Sequence, residues 1–465
     1  MIDDLKWVLD TLTVRALDYT TYYDYYNGAH KLSFATDKFR SAFGSLLKAF
    51  ADNLCPAVVD TVADRLQVTG FAPEKAADET SADAAWDIWR ANRMDRRSGE
   101  VHLEALRSGD AYLIVWPEDG WGPRLYPNSG SACCVEYDTE RPGEVIKAGK
   151  VWLDNAQRWR LNLYYRDRIE KYATLPPSYT ETSYAPPMPT SSGAFQPFEV
   201  PGEPWPLPNP YDTVPVFHFA NNATTGALGR SELADVVALQ DALNKSVADM
   251  LVAMEFVALP QRWVTGIEVD IDETTGLPRA PFVPGADRIW TVGAPDARFG
   301  QFEAVNLTQF IDVQNSFRME VARVSRTPLH HLMPTGEYPS GEAMKTAEEP
   351  LLAKVRDRQI AWGNVWEDAL TLALRMAGVE GAELSCNWLD PTPRNTRSFV
   401  EVLLLKQQLG VSQQQLLREA GYSESEIEAM QAEKQAAQEA LGEQLLTAFE
   451  RGDPPAPQQR NTERQ

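Results

Sequence analysis

Histidine and cysteine are scarce, at five and four of 465 residues. The cysteines (Cys55, Cys133, Cys134, Cys386) give neither a disulfide framework nor CxxC spacing. They read as free thiols of a chain made in a reducing cytosol, with Cys133-Cys134 as small buried hydrophobes. Long apolar runs are missing as well. Met250–Leu259 carries Glu255, and Ala111–Trp116 is six residues long, so no transmembrane helix of about 20 residues fits and no membrane partner is expected. The opening MIDDLKWVLD is acidic where a secretory signal would be basic and then apolar. Also missing are GxxxxGK[ST], HExxH, GxSxG and GxGxxG, which removes the phosphate-cradling loop and the commonest hydrolase signatures. His30, His102 and His218 are scattered. His330 and His331 are adjacent, but neighbouring side chains should project in different directions. Asp270 and Asp272 alternate as on a strand, yet VDIDETTG reads as a solvated turn. No catalytic residue, metal site or cofactor is expected.

Net positive charge is lacking too. The 44 basic and 66 acidic residues give −22, which argues against a protein that grips nucleic acid or an anionic membrane. It is compatible with a surface past which DNA moves without sticking, because phosphate neutralisation is what makes binding tight. Solubility alone would also explain it. Ser412–Met430 has a helix-turn-helix outline, but its second helix would present Glu424, Glu426 and Glu428 to phosphates, so packing of short helices is the better reading.

With 43% hydrophobic residues the chain can bury several cores and form two to four domains. Residues 1–33 hold a tyrosine-rich patch, YTTYYDYYNG, ending in the Asn27-Gly28 turn. Amphipathic patterns predict helices over Asp37–Asn53, Pro56–Leu66, Ser81–Arg93 and Ser98–Ser108. From Ala111 the period shortens towards two. It predicts a hairpin around Glu118-Asp119-Gly120 and antiparallel strands at Ala132–Val135, Val145–Leu153, Trp159–Tyr165 and Ile169–Thr174. Residues 175–210 are rich in Pro, Ser and Thr and read as a surface excursion; Val214–Phe219 reads as a strand. The fold class of this half is α+β.

The stretch GRSELADVVALQDALNKSVADMLVAMEFVALP, Gly229–Pro260, organises the rest. Ser231 is a good N-cap, and no Gly or Pro interrupts the run until Pro260. A helix over Glu232–Ala258 would be about 40 Å long. Leu233, Val236, Val237, Leu243, Val247, Met250, Leu251, Met254 and Val257 make one apolar stripe, broken by Gln240. Asp235, Asp241, Asn244, Lys245 and Asp249 occupy the other faces. Periodicity alone fits an ordinary core helix equally. Strand-like pieces follow at Arg262–Thr265 and Arg288–Val292. Then come a long helix over Leu307–Val324, a loop over Pro328–Ser340 and a long helix over Gly341–Met376. Pro350 inside the last removes an i→i−4 bond and predicts a kink. Shorter helices are expected at Arg394–Leu409, Ser412–Ala420 and Ser423–Phe449, with a disordered tail after residue 450.

Six segments carry a family resemblance: ADNLCPAVVDTVADRLQVTGF (51–71), WDIWRANRMD (86–95), HLEALRSGDAYLIV (102–115), GRSELADVVALQDALNKSVADML (229–251), FVALPQRWVTG (256–266) and SRTPLHHL…PSGEAMKTAEEPLLAKVRDRQ (325–359). They resemble the portal, or head-to-tail connector, proteins of long-tailed bacteriophages, most of all those of phages infecting actinobacteria. The resemblance covers roughly residues 18–430.

It implies a non-enzymatic ring of about twelve copies around a channel for double-stranded DNA at one capsid vertex. Implied partners are the large terminase, which supplies ATP hydrolysis, a head-tail adaptor, and the major capsid and scaffold proteins. The implied location is the virion, with the host cytoplasm during assembly. The implied layout is a wing at 1–228, a stem helix at 229–258 and a clip at 259–305. A second stem helix at 306–327, a tunnel loop at 328–340, a kinked spine helix at 341–378 and a helical crown at 379–450 follow. By the same resemblance His330, His331, Leu332, Met333, Pro334, Thr335, Gly336, Glu337 and Tyr338 form the DNA-facing loop. Arg262, Asp270, Asp272, Glu273, Arg279 and Arg288 are candidates for docking at the clip. Leu233, Val236, Leu243, Val247, Met250, Leu251 and Met254 pack the stem, and Pro350 bends the spine. Arg318–Arg358 holds seven basic and six acidic residues, a near-balance suited to weak, sequence-independent contact with DNA. The alternatives are a cytosolic enzyme with its site in the N-terminal α+β half, or another ring or adaptor component of the virion. A solution mass of several hundred kilodaltons separates a ring from a monomeric enzyme.

Overall fold

The computed structural model describes residues 2–31, 37, 41, 52–73, 79–176, 186–258, 262–266, 271, 295–301, 306–333, 340–392, 396–420, 422, 426, 427 and 429–435. Along the chain come α1 (Ile2–Tyr26), α2 (Cys55–Ala63), β1 (Val68–Pro73), α3 (Glu79–Ala91), α4 (Met94–Ser108) and the strands β2 (Asp110–Glu118) and β3 (Gly122–Ser129). Next are β4 (Cys133–Tyr137), β5 (Val145–Leu153), β6 (Trp159–Tyr164), β7 (Arg168–Ala173), β8 (Gln196–Pro197), β9 (Leu207–Pro208) and β10 (Val216–Ala220). The second half holds α5 (Val237–Ala258), β11 (Arg262–Thr265), β12 (Arg298–Gln301), α6 (Thr308–Ser325), α7 (Leu329–Leu332), α8 (Gly341–Met376), β13 (Leu384–Trp388), α9 (Thr396–Gln408) and α10 (Gln413–Ala420). The class is α+β, as expected. The strand expected over Arg288–Val292 and the tail lie outside the described residues, as do most of the helices expected over Asp37–Asn53 and Ser423–Phe449.

The chain divides into two compact units. One comprises Met1–Ala63, Val101–Tyr112 and Asn128–Lys354; the other comprises Asp64–Glu100, Leu113–Pro127 and Val355–Gln465. The first is built on an antiparallel sheet ordered β4-β5-β6-β7-β8, with β9 also paired to β7. Alternating Val151, Leu161, Leu163 and Tyr172 face inward and meet Leu5, Val8, Leu9 and Leu12 of α1, with Cys134 and Phe195 in the same cluster. The i, i+3, i+4 and i+7 spacing of the four α1 residues supplies the helical stripe that covers the sheet. Gly149 in β5 is required there: a Cβ would lie 2.2 Å from a Val8 methyl.

The N-terminal helix is a finding that the tyrosine patch alone did not announce. Four of its tyrosines donate to carboxylates far along the chain. Tyr19 Oη reaches Asp110 Oδ2 at 2.7 Å, Tyr25 Oη reaches Asp241 Oδ1 at 2.6 Å, Tyr26 Oη reaches Asp60 Oδ1 at 2.8 Å, and Tyr23 bonds Glu104. Burying so many aromatic faces is favourable only because each hydroxyl keeps a partner.

The second unit is held by aromatic stacking. Phe71 of β1 lies 5.5 Å from Trp89 of α3, which meets Trp366 of α8 edge-on at 4.9 Å. Strand β13 pairs antiparallel with β1, Phe71 opposite Cys386. The sequence predicts only helices beyond Gly381, so this strand is a correction; its partner lies some 300 residues upstream, beyond the reach of local pattern. Helix α8 runs unbroken from Gly341 to Met376 with Pro350 inside it.

Candidate functional site

Three rods carry the candidate site: α5, α6 and the start of α8. Helix α5 begins at Val237 and not at Glu232, so Leu233 and Val236 precede it, although both are fully buried. The cause is local. Ser231 Oγ accepts from Leu233 N at 3.0 Å while donating to Arg107 O, and Glu232 N donates to Leu106 O at 3.0 Å. The 231–236 backbone is thereby spent in turns and tertiary bonds before helix propagation starts.

That lead-in is pinned by Asp110, whose side chain is fully buried. Its Oδ1 accepts from Gly229 N at 2.6 Å and from His218 Nε2 at 2.8 Å. Its Oδ2 accepts from Arg15 Nη2 and from Tyr19 Oη, each at 2.7 Å. His218 Nδ1 lies 2.8 Å from Tyr137 Oη, completing a buried chain. Burial pushes the Asp110 carboxyl up, but the His218 hydrogen bond and charge, Arg15 and the Gly229 amide outweigh it and hold it below the ordinary value. The same burial, reinforced by Asp110, drives Tyr19 far above its ordinary range, so it stays a donor. Gly229 itself has no room for a side chain, since a Cβ would stand 1.8 Å from Gly109 O.

Along α5 the apolar stripe is buried in its first half and opens in its second. Leu243 and Val247 are buried, Met250 and Leu251 are half-buried, and Met254 is exposed. The polar residues divide: Asp241 and Asn244 are buried, as is Gln240 within the stripe, whereas Asp235 is exposed and Lys245 and Asp249 are half-buried. Gln240 Oε1 accepts from Leu54 N at 2.9 Å while its amide donates to Asp52 O. Asp241 takes the Tyr25 hydroxyl, and Asn244 meets His30 Nδ1 at 2.7 Å. Amphipathic spacing cannot distinguish a solvated polar face from one bonded to distant residues.

Helix α6 packs against α5, with Gln314 and Val321 buried. Part of its apolar surface stays open: Ile311, Val313 and Met319, which point in different directions around the helix, are each about half exposed. The lead-in to α5, the end of α6 and α8 are tied at one buried cation. Lys354 of α8 donates to Glu232 Oε2 at 2.8 Å and to the carbonyl of Ser325, the last residue of α6. Lys354 and Glu232 are both more than nine-tenths buried, so losing either leaves an uncompensated charge. Arg318 pairs with Asp52 at 2.6 Å, and Arg323 and Arg358 pair with Glu320 and Asp357. Four of the seven cations over 318–358, Arg318, Arg323, Lys354 and Arg358, are thus paired with carboxylates.

The expected tunnel loop opens on a helical turn, α7, which packs against α2. His330 and His331 are on it, and Leu332 is buried, so Leu332 is a core residue and not part of an exposed constriction. The two histidine rings do not diverge; their centroids are 4.3 Å apart. Met333 is half-buried, and Pro334, Thr335, Gly336, Glu337 and Tyr338 lie outside the described residues. Of the clip candidates, Arg262 starts β11, which pairs with β12. Asp270, Asp272, Glu273, Arg279 and Arg288 lie outside the described residues.

Comparison with known proteins matches residues 5–440 to the family described as phage portal protein, SPP1 Gp6-like. The chain belongs to the phage portal protein family. It is 25% identical over 432 residues to the portal protein of Mycobacterium phage D29, covering 86% of this chain and 81% of that one. It is 27% identical over 426 residues to the portal protein of Mycobacterium phage L5, with the same coverage. Among solved structures, a chain of the neck of an empty gene transfer agent particle, computed with C6 symmetry, aligns with a TM-score of 0.45 and 13% identity over 82% of this chain and 92% of that one. A chain of the native gene transfer agent virion aligns at 0.44 and 15%, over 78% and 88%. The portal family is structural and not enzymatic.

Proposed function

We propose that copies of this chain close into a ring at one capsid vertex and line the channel through which double-stranded DNA enters and leaves. The observation that carries the reading is the half-exposed apolar surface of α6 beside the buried first half of α5. Ile311, Val313 and Met319 project from a rod that is otherwise anchored by Lys354 and Arg318. Half-exposed apolar groups on a fixed rod are surface that an identical neighbour can cover, and a heterologous contact of that kind generates a ring when the rotation closes. Internal ion pairing along α6 and α8 leaves a wall of low net charge, suited to a sliding polyanion.

On this reading residues 259–305, with β11 and β12 at their base, form the clip that docks the head-tail adaptor and the large terminase. Residues 334–338 project into the channel, and α8 is the spine, with Pro350 as its point of bending. The ring also nucleates assembly with scaffold and major capsid protein, and its copy number is about twelve. Electron micrographs of the purified protein viewed down the particle axis test this directly: rings with a central channel are expected, and monodisperse compact monomers overturn it. Deleting residues 334–338 is expected to leave ring formation intact and to reduce packaging or DNA retention. Filled heads at normal yield would show that this segment does not reach the DNA.

A further inference from the structure

His330 and His331 sit on the single turn α7, and Glu348 sits on α8. Successive side chains on a helix diverge by about 100°, yet both imidazoles here converge on one atom. His330 Nε2 is 2.9 Å and His331 Nε2 is 3.0 Å from the same oxygen, Glu348 Oε1. The three donor atoms all lie within 4.8 Å of one another. The Glu348 side chain is 7% exposed, whereas His330 and His331 are 19% and 28% exposed, so the cluster has a buried floor and an open approach.

We propose that His330, His331 and Glu348 bind one divalent transition ion of the zinc class, with the fourth position left to water. Two imidazoles and a carboxylate are the donor set that borderline ions take, whereas calcium and magnesium demand shells made of oxygen. Tetrahedral bonds of 2.0–2.1 Å to nitrogen and oxygen place donor atoms roughly 3.3 Å apart. The observed separations of 2.9 and 3.0 Å need widening by only a few tenths of an ångström. The ion would clamp α7 to Glu348, about two turns into α8. The inference does not depend on the function proposed above.

The test uses the full chain, purified without a histidine tag, stripped with a chelator and titrated with Co²⁺ and with Zn²⁺. One equivalent per chain is expected, with Co²⁺ giving the visible absorption of a four-coordinate site. X-ray absorption of the zinc form should show two imidazole ligands. His331→Ala and Glu348→Gln, with folding verified by circular dichroism, should each weaken binding by more than about 100-fold. That exceeds the 10–100-fold typical of losing an outer partner. Glu320→Gln, a carboxylate outside the cluster, should leave binding unchanged. Absence of saturable uptake, a zinc shell without imidazole, or full affinity in His331→Ala each overturns the proposal.

Discussion

The two stem rods are neighbours with opposite habits. Helix α5 is satisfied by its own chain: Leu243 and Val247 on one side, Gln240, Asp241 and Asn244 on the other, all buried and all but the first two hydrogen-bonded to the N-terminal third. Helix α6 is covered only in part, with Ile311, Val313 and Met319 left about half exposed. The first is a structural post and the second is a post with a vacant flank. The difference teaches that family membership and amphipathic spacing do not by themselves say which rod meets a neighbour. The partners of each face do.

The comparison breaks most violently at Leu243. Leu243→Asp, or Val247→Asp, places an unpaired charge in a closed interior and should cost about 4–5 kcal/mol of monomer stability in denaturant unfolding, with loss of soluble protein. Asp110→Ala comes next, because it strands the half-buried Arg15 and the buried His218 and frees Gly229, for about 3 kcal/mol. Asp110 also gives a pH signature. Its carboxyl titrates below the ordinary 3.8, so its contribution is complete above that value and fades as pH falls towards the folded-state value. Acid unfolding curves should show this fading in the wild-type chain and lose it in Asp110→Asn. Gln240→Ala follows, leaving Leu54 N–H and Asp52 C=O without their partner, for about 2 kcal/mol measured the same way. Substitutions on the open side of α6 should cost the monomer no more than about 0.5 kcal/mol.

Much of this was legible from residues alone. Strand β5 and helix α8 have the bounds that alternation and helical periodicity assign, Val145–Leu153 and Gly341–Met376. Their faces are uniform and breakers mark their ends. Legibility failed where a residue's partner is distant. The tyrosines of α1 read as a patch because their carboxylates lie 34 to 216 residues away. The start of α5 was misplaced by five residues because Ser231 looks like a helix cap but serves a turn bonded to Arg107. His330 and His331 looked divergent because Glu348, which gathers them, is remote from both in sequence. The exposed end of the α5 stripe at Met254 was invisible for a related reason, since periodicity records which face is apolar and not what covers it.

The central claim is that the open flank of α6 is completed by a second copy of the chain. Mass measurement in solution on wild type and on an Ile311→Asp/Met319→Asp variant tests it most directly. Wild type should appear as a particle of several hundred kilodaltons, and the variant as a folded species at the 52.0 kDa of one chain. A variant that assembles as fully as wild type, or a wild type that stays at the single-chain mass, would contradict the account.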